Sequence, residues 1–118
     1  MDITPTVSAD RQLVQGYGDL GFTISGQRHE GPVLVLPDRT LAWTGELSAE
    51  ALAPAMDAGI EILLIGCGRG MMPLPRELKA ALRAAGIVAE PMDTGAACRT
   101  YNVLLTEDRR VAAALVAV

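Results

Sequence analysis

The residues best suited to chemistry fall at two points in the second half of the chain. The first is Gly66-Cys67-Gly68-Arg69-Gly70, directly after the apolar run Ile60-Glu61-Ile62-Leu63-Leu64-Ile65. Glycines at alternate positions let the backbone turn tightly or admit a ligand close to the main chain. Cys67 adds a thiol, and the Arg69 guanidinium is suited to an anion. The loop lacks the Lys and Ser or Thr of a phosphate-binding loop and does not open into a dinucleotide fingerprint, so its glycines equally suit a structural turn. The second point is Pro91 to Thr100, where Asp93 or Thr94 is placed to cap a helix, and amides at a helix start attract carboxylate or phosphate. If the strands before the two loops are parallel, both loops share the edge where open α/β sheets form crevices. Gly66, Cys67, Gly68, Arg69, Asp93, Thr94 and Arg99 then line a common groove beside residues 66–70 and 93–99. The alternative leaves Asp93 or Thr94 to the cap and both arginines to solvent.

No other residues assemble into machinery. Cys67 and Cys98 are 31 positions apart and form no CxxC motif, and neither has a base in its local sequence, so both read as packing residues before nucleophiles. The single histidine, His29, falls in a charged, hairpin-like turn, and with Asp38, Asp93 and Glu107 it makes no recognisable catalytic or metal-binding pattern. No catalytic residue, metal ligand or cofactor site is therefore assigned. Glu107-Asp108-Arg109-Arg110 reads as a charged turn with internal pairing. Trp43, Tyr17 and Arg99 are the candidate partner contacts, since aromatics and arginine anchor interfaces, although a strand Trp also suits a core.

The elements that must position these residues follow from periodicity. Residues 1–19 read as an irregular arm. Leu20 to Ser25 alternates, with Phe22 and Ile24 on one side, and Gly26 to Gly31 reads as a turn. Val33-Leu34-Val35-Leu36 and Thr40-Leu41-Ala42-Trp43-Thr44 are further strands, and the three together suggest an antiparallel N-terminal region. Ser48 caps a short helix containing Pro54. Residues 60–65, apolar on both faces, form a central strand. Leu74, Leu78 and Leu82, bounded by Pro75 and Gly86, predict a helix over much of 74–85. Ile87 to Ala89 is a short strand, a third helix runs from Asp93 or Thr94 to about Leu105, and Val111 to Val118 returns to the sheet. N-terminal strands followed by strand, helix, strand, helix and strand predict a single α/β domain with mixed β-sheets over residues 1–118.

Composition bounds the function. The 118 residues are 50% hydrophobic, enough for one core, and carry a formal net charge of -4. That balance argues against broad attraction to nucleic acid or an anionic membrane. Apolar runs are far shorter than a membrane span, and residues 1–20 show no basic segment followed by a hydrophobic one, so the expectation is a cytoplasmic protein without membrane insertion.

Glu61 to Gly68, followed by Gly86 to Leu104 with its Met92-Asp93-Thr94 helix entry and Arg99-Thr100-Tyr101-Asn102, resembles a family of small domains. Its animal members include a mitochondrial respiratory complex I assembly factor and an adipogenesis-associated protein, and many of its bacterial and archaeal members have no defined biochemical role. Ser25-Gly26 and Trp43 match its N-terminal pattern, so the resemblance spans about residues 15–116. It implies a compact three-layer α/β fold with mixed sheets and implies no catalytic mechanism or cofactor. The leading expectation is thus a protein-interaction or assembly-factor-like module bound to a protein complex or assembly intermediate. The alternative is a small anion-binding protein or enzyme using the glycine-rich groove.

Overall fold

The computed structural model describes residues 11–118. Three strands, β1 (Val14–Gly18), β2 (Gly21–Ile24) and β3 (Gln27–Glu30), form an antiparallel meander. A five-stranded sheet has the order β5 (Thr40–Ala42), β4 (Val33–Val35), β8 (Val111–Leu115), β6 (Ile62–Gly66), β7 (Val88–Met92). β4 is antiparallel to both its neighbours, whereas β6 runs parallel to β7 and to β8. The helices are α1 (Ala53–Met56), α2 (Arg76–Ala84) and α3 (Thr94–Thr106).

The connection from β6 to β7 through α2 moves one strand outward, and that from β7 to β8 through α3 crosses back over β6. Crossovers of one hand in opposite directions require helices on opposite faces. Accordingly Leu78 and Leu82 of α2 share a core with Leu63, Ile65, Trp43 and Leu52. Ala97, Tyr101 and Leu105 of α3 share the other with Leu64, Phe22 and Ile24, so the meander completes the α3 layer. β8 lies between the two cores and all five of its residues are buried. Three consecutive alanines there let both layers close on the sheet.

Several elements differ from their sequence-based expectation, each for a nonlocal reason. Val14–Gly18 is a strand and not part of an irregular arm; residues 1–10 lie outside the described residues. Its alternation is hidden by two glycines, and the strand is held from outside. Asn102 of α3 donates through Nδ2 to the Val14 carbonyl at 2.6 Å and accepts the Val14 amide through Oδ1 at 3.1 Å, doing the work of a neighbouring strand. The turn over residues 26–31 contracts to Ser25-Gly26, both at positive φ as a tight hairpin demands, and His29 stands in β3 opposite Phe22. The strands at 33–36 and 40–44 join the larger sheet and not the meander. Trp43 is only 6% exposed and its indole N–H donates to the Glu46 carbonyl at 3.2 Å, so it is a core residue and not a surface for a partner.

The charged turn after α3 also pairs outward. Arg109 meets Glu61 at 2.8 Å and Asp108 meets Arg11 at 3.2 Å, while Arg110 reaches Glu61 at 3.7 Å. The Arg109 hydrogen bond and the Arg110 amide hold the Glu61 carboxyl below its ordinary range. These exposed pairs position chain ends more than they stabilise them.

The buried Tyr101 hydroxyl donates to the Gln12 carbonyl at 2.6 Å and anchors the start of the described chain to α3. Tyr101→Phe orphans that carbonyl and should lower the unfolding free energy by about 1–3 kcal/mol. Urea denaturation is expected to show a lower midpoint at unchanged slope.

Candidate functional site

The parallel strands β6, β7 and β8 end at one edge, so the two loops singled out by sequence meet there. The meeting is close because Gly66 has no side chain: a Cβ would stand 3.0 Å from the Thr94 Cα and 3.0 Å from the Leu115 Cδ2. Thr94, fully buried, joins the three strand exits. Its amide donates to the Gly68 carbonyl at 2.8 Å, its hydroxyl accepts the Gly68 amide at 3.0 Å, and that hydroxyl donates to the Val116 carbonyl at 2.7 Å. Cys67 N–H to Met92 carbonyl, 2.8 Å, and Val116 N–H to Gly66 carbonyl, 2.9 Å, close the circuit. Gly68 has φ +94°, a conformation that favours glycine.

Asp93 is the N-cap of α3, its carboxylate accepting the Ala96 amide at 2.8 Å. Of the amides that could hold an anion at this helix start, those of Thr94 and Ala96 are thus bonded within the chain. Gly68, Arg69 and Asp93 line an open hollow of about 390 Å³, which Tyr17 and Asp19 border from the β1–β2 hairpin. Two carboxylates therefore share the hollow with the Arg69 guanidinium.

Arg99 lies in the adjoining hollow and not in this one. Its Nη1 donates to the Tyr17 hydroxyl at 3.2 Å. Tyr17 settles over Gly95, where a Cβ would come within 2.6 Å of its hydroxyl oxygen, and so stands between the two arginines. The structure brings Gly66, Cys67, Gly68, Arg69, Asp93 and Thr94 to one sheet edge and leaves Arg99 across Tyr17. Sequence reasoning offered Tyr17 as a partner contact and not as part of this edge, and missed Val116; the small residue at Gly95 is the one local sign that something packs there.

The thiols do not meet a base. Cys67 is half-buried, with Sγ 3.6 Å from the Ile65 carbonyl, and Cys98 is buried in the α3 core. Burial pushes the Cys98 thiol from its ordinary 9.0 up to about 11 despite the nearby Arg99. Such a thiol stays protonated and inert at neutral pH. Among the described residues no group of three His, Cys, Asp or Glu could hold a metal ion. No helix among them is long and apolar enough to cross a membrane.

A family model described as a protein of unknown function (DUF498/DUF598) matches residues 14–116, from β1 past the end of β8. The chain belongs to the DUF498/DUF598 family. An uncharacterized protein of Rhodobacter capsulatus is 43% identical over 86% of this chain and 82% of its own length. NADH dehydrogenase (ubiquinone) 1 alpha subcomplex assembly factor 3 of Xenopus tropicalis is 33% identical over 92% of this chain. This chain spans 63% of that assembly factor's length. A crystal structure of an outer membrane protein from Bartonella henselae, 37% identical, superposes with a TM-score of 0.84 over 92% of this chain and 97% of that one. The family match covers all the residues of the Thr94 circuit.

Thr94→Val keeps the shape but leaves the Gly68 amide and the Val116 carbonyl without their partner. It should destabilise the domain by roughly 2–6 kcal/mol, given about 1–3 kcal/mol for each of the two orphaned groups, and Thr94→Ser should recover most of the loss. Chemical denaturation of the two variants is the measurement. A second expectation concerns pH. The folded chain keeps the Cys98 proton to about 11 while the unfolded chain releases it near 9.0, so unfolding is favoured as pH rises through that window. Stability should decline between those values, and Cys98→Ala should flatten the decline in a pH series of thermal melts.

Proposed function

We propose that this chain is a protein-interaction module acting in the assembly of a larger complex, without turnover of its own. The observation that carries this is the likeness to a named assembly factor across 92% of the chain. Two features at the sheet edge support it. The groups best placed for small-molecule chemistry, the Thr94 hydroxyl and the amides of Gly68, Thr94 and Ala96, are engaged in holding the fold. Exposed Arg99, braced by Tyr17, presents a rigid cation at the surface, which is what an interface anchor requires. Because 37% of the relative's length has no counterpart here, binding is transferred to this chain and the identity of the complex is not. A cytoplasmic location accompanies this proposal, and the two free cysteines suit a reducing compartment.

A small anion in the hollow beside Arg69 is the weaker proposal, since Asp19 and Asp93 border the same space and offset the guanidinium. Titration with phosphate and acetate across a salt series should give only weak, non-saturating shifts that salt abolishes.

The deciding experiment captures the tagged full chain with its partners from native lysate and rebuilds the pair from purified components. A selective partner is expected, and Arg99→Ala should weaken its binding about tenfold. No selective partner, together with saturable turnover of a defined small substrate, would overturn this function in favour of an enzyme.

A further inference from the structure

On the opposite face of the sheet from α3, α2 and β7 leave a second concave surface, of about 570 Å³. Leu82, Ala89 and Pro91 give it an apolar lining, and Lys79 and Arg83 stand on it from α2. Among the described residues β7 is an edge strand, with β6 its sole neighbour. Val88 N–H bonds to the Glu61 carbonyl and the Met92 carbonyl accepts the Cys67 amide, so residues 88, 90 and 92 turn their backbone groups inward. Strand alternation then points the Ala89 N–H, the Ala89 carbonyl and the Pro91 carbonyl outward. Proline supplies no donor, which blunts the edge against indiscriminate pairing and leaves one donor and two acceptors for a chosen partner.

The charges of the groove say what that partner carries. The chain has ten Lys and Arg and a net charge of -4. Among the described residues Arg11, Arg28, Arg39, Arg109 and Arg110 all form ion pairs. Five form none there: Arg69 and Arg99 near the strand exits, and Arg76, Lys79 and Arg83, the three cations of α2, all three of which are exposed. A basic margin around an apolar floor, beside an open strand edge, complements an extended segment that is apolar and acidic. A second copy of this chain fits poorly. Antiparallel pairing of two β7 edges would set both α2 helices on one side, opposing their unpaired cations, and the single outward donor of each copy allows few ladder bonds.

We propose that this groove docks an extended segment of a partner protein in which apolar and acidic residues alternate, added alongside β7. The proposal rests on the interaction function given above and uses a surface separate from the Arg99 face, so one chain holds two components at once. The test pans a displayed library of random peptides against the full chain and against Lys79→Glu/Arg83→Glu and Ala89→Pro, each variant checked for native circular dichroism. Lys79 and Arg83 are exposed, so the charge reversal leaves the core intact. Enriched peptides should alternate apolar and acidic residues, and their binding should fall about tenfold or more with the charge reversal and also with Ala89→Pro. Enrichment of basic or uncharged peptides, equal binding by the charge-reversed chain, or no enrichment would each overturn the proposal. So would a concentration-dependent dimer, seen by ultracentrifugation and abolished by Ala89→Pro, which would give the edge to a second copy. A captured protein partner whose binding ignores the charge reversal removes the groove and leaves the interaction function standing. Acidic peptides that bind as expected, with no protein partner captured, do the reverse.

Discussion

The hydroxyl of Thr94 is the point on which the upper edge of the sheet depends. One buried oxygen accepts from Gly68 and donates to Val116, while the amide of the same residue donates to Gly68. The ends of β6 and β8 and the entry to α3 are thereby fixed to each other without a metal or a disulfide. The arrangement works only if α3 starts almost in contact with β6, which is the constraint that makes Gly66 a glycine. A buried hydroxyl left unmatched would destabilise the domain, but one matched on both sides rigidifies it. Cys98, one helical turn further along α3, shares the consequence: the helix is drawn so far onto the sheet that its thiol is buried and protonated.

That same constraint governs the functional interpretation. A glycine-rich strand exit and a helix start look like an anion cradle when read as separate features, since each offers backbone donors. Brought together, they satisfy each other. What remains outward at this edge is a shallow space shared by Arg69, Asp19 and Asp93, and the cation with a defined brace, Arg99, stands beyond Tyr17.

The extent to which the sequence was legible follows the range of the interactions involved. The apolar run at 60–65, the Leu74, Leu78 and Leu82 repeat between Pro75 and Gly86, and the Asp93 cap all state local rules, and β6, α2 and α3 stand within a few residues of their expected places. The convergence of residues 66–70 with Asp93 and Thr94 was legible too, because parallel strands must share an exit edge. β1 was not legible, since two glycines hide its alternation, and beyond its ladder with β2 it is fixed at Val14 by Asn102, 88 positions away. The Arg99 position depends on Tyr17 at a separation of 82, and the Arg109 pairing with Glu61 on one of 48, neither of which has a local signature. Trp43 could be assigned to surface or core only once α1 and α2 were known to lie over it.

The distribution of paired charge separates scaffold from surface. At the lower end of the sheet, Glu61 receives Arg109 and Arg110 while Arg11 holds Asp108, so charge there is spent between segments distant in sequence. On α2 the cations face away from the buried Leu78 and Leu82 and meet no carboxylate among the described residues. Of the five cations without an ion pair among the described residues, three, Arg76, Lys79 and Arg83, stand on this one helix, and Arg69 and Arg99 stand at the other end of the sheet. Lys79 and Arg83 thus stand unpaired where the sheet edge is also open, and the proline in β7 removes a donor from that edge. The rigid Thr94 circuit and the open α2–β7 groove thus divide the sheet between two roles: at the strand exits buried polar groups are matched within the fold, and along β7 the Ala89 and Pro91 backbone groups stand at a margin that a second chain can reach.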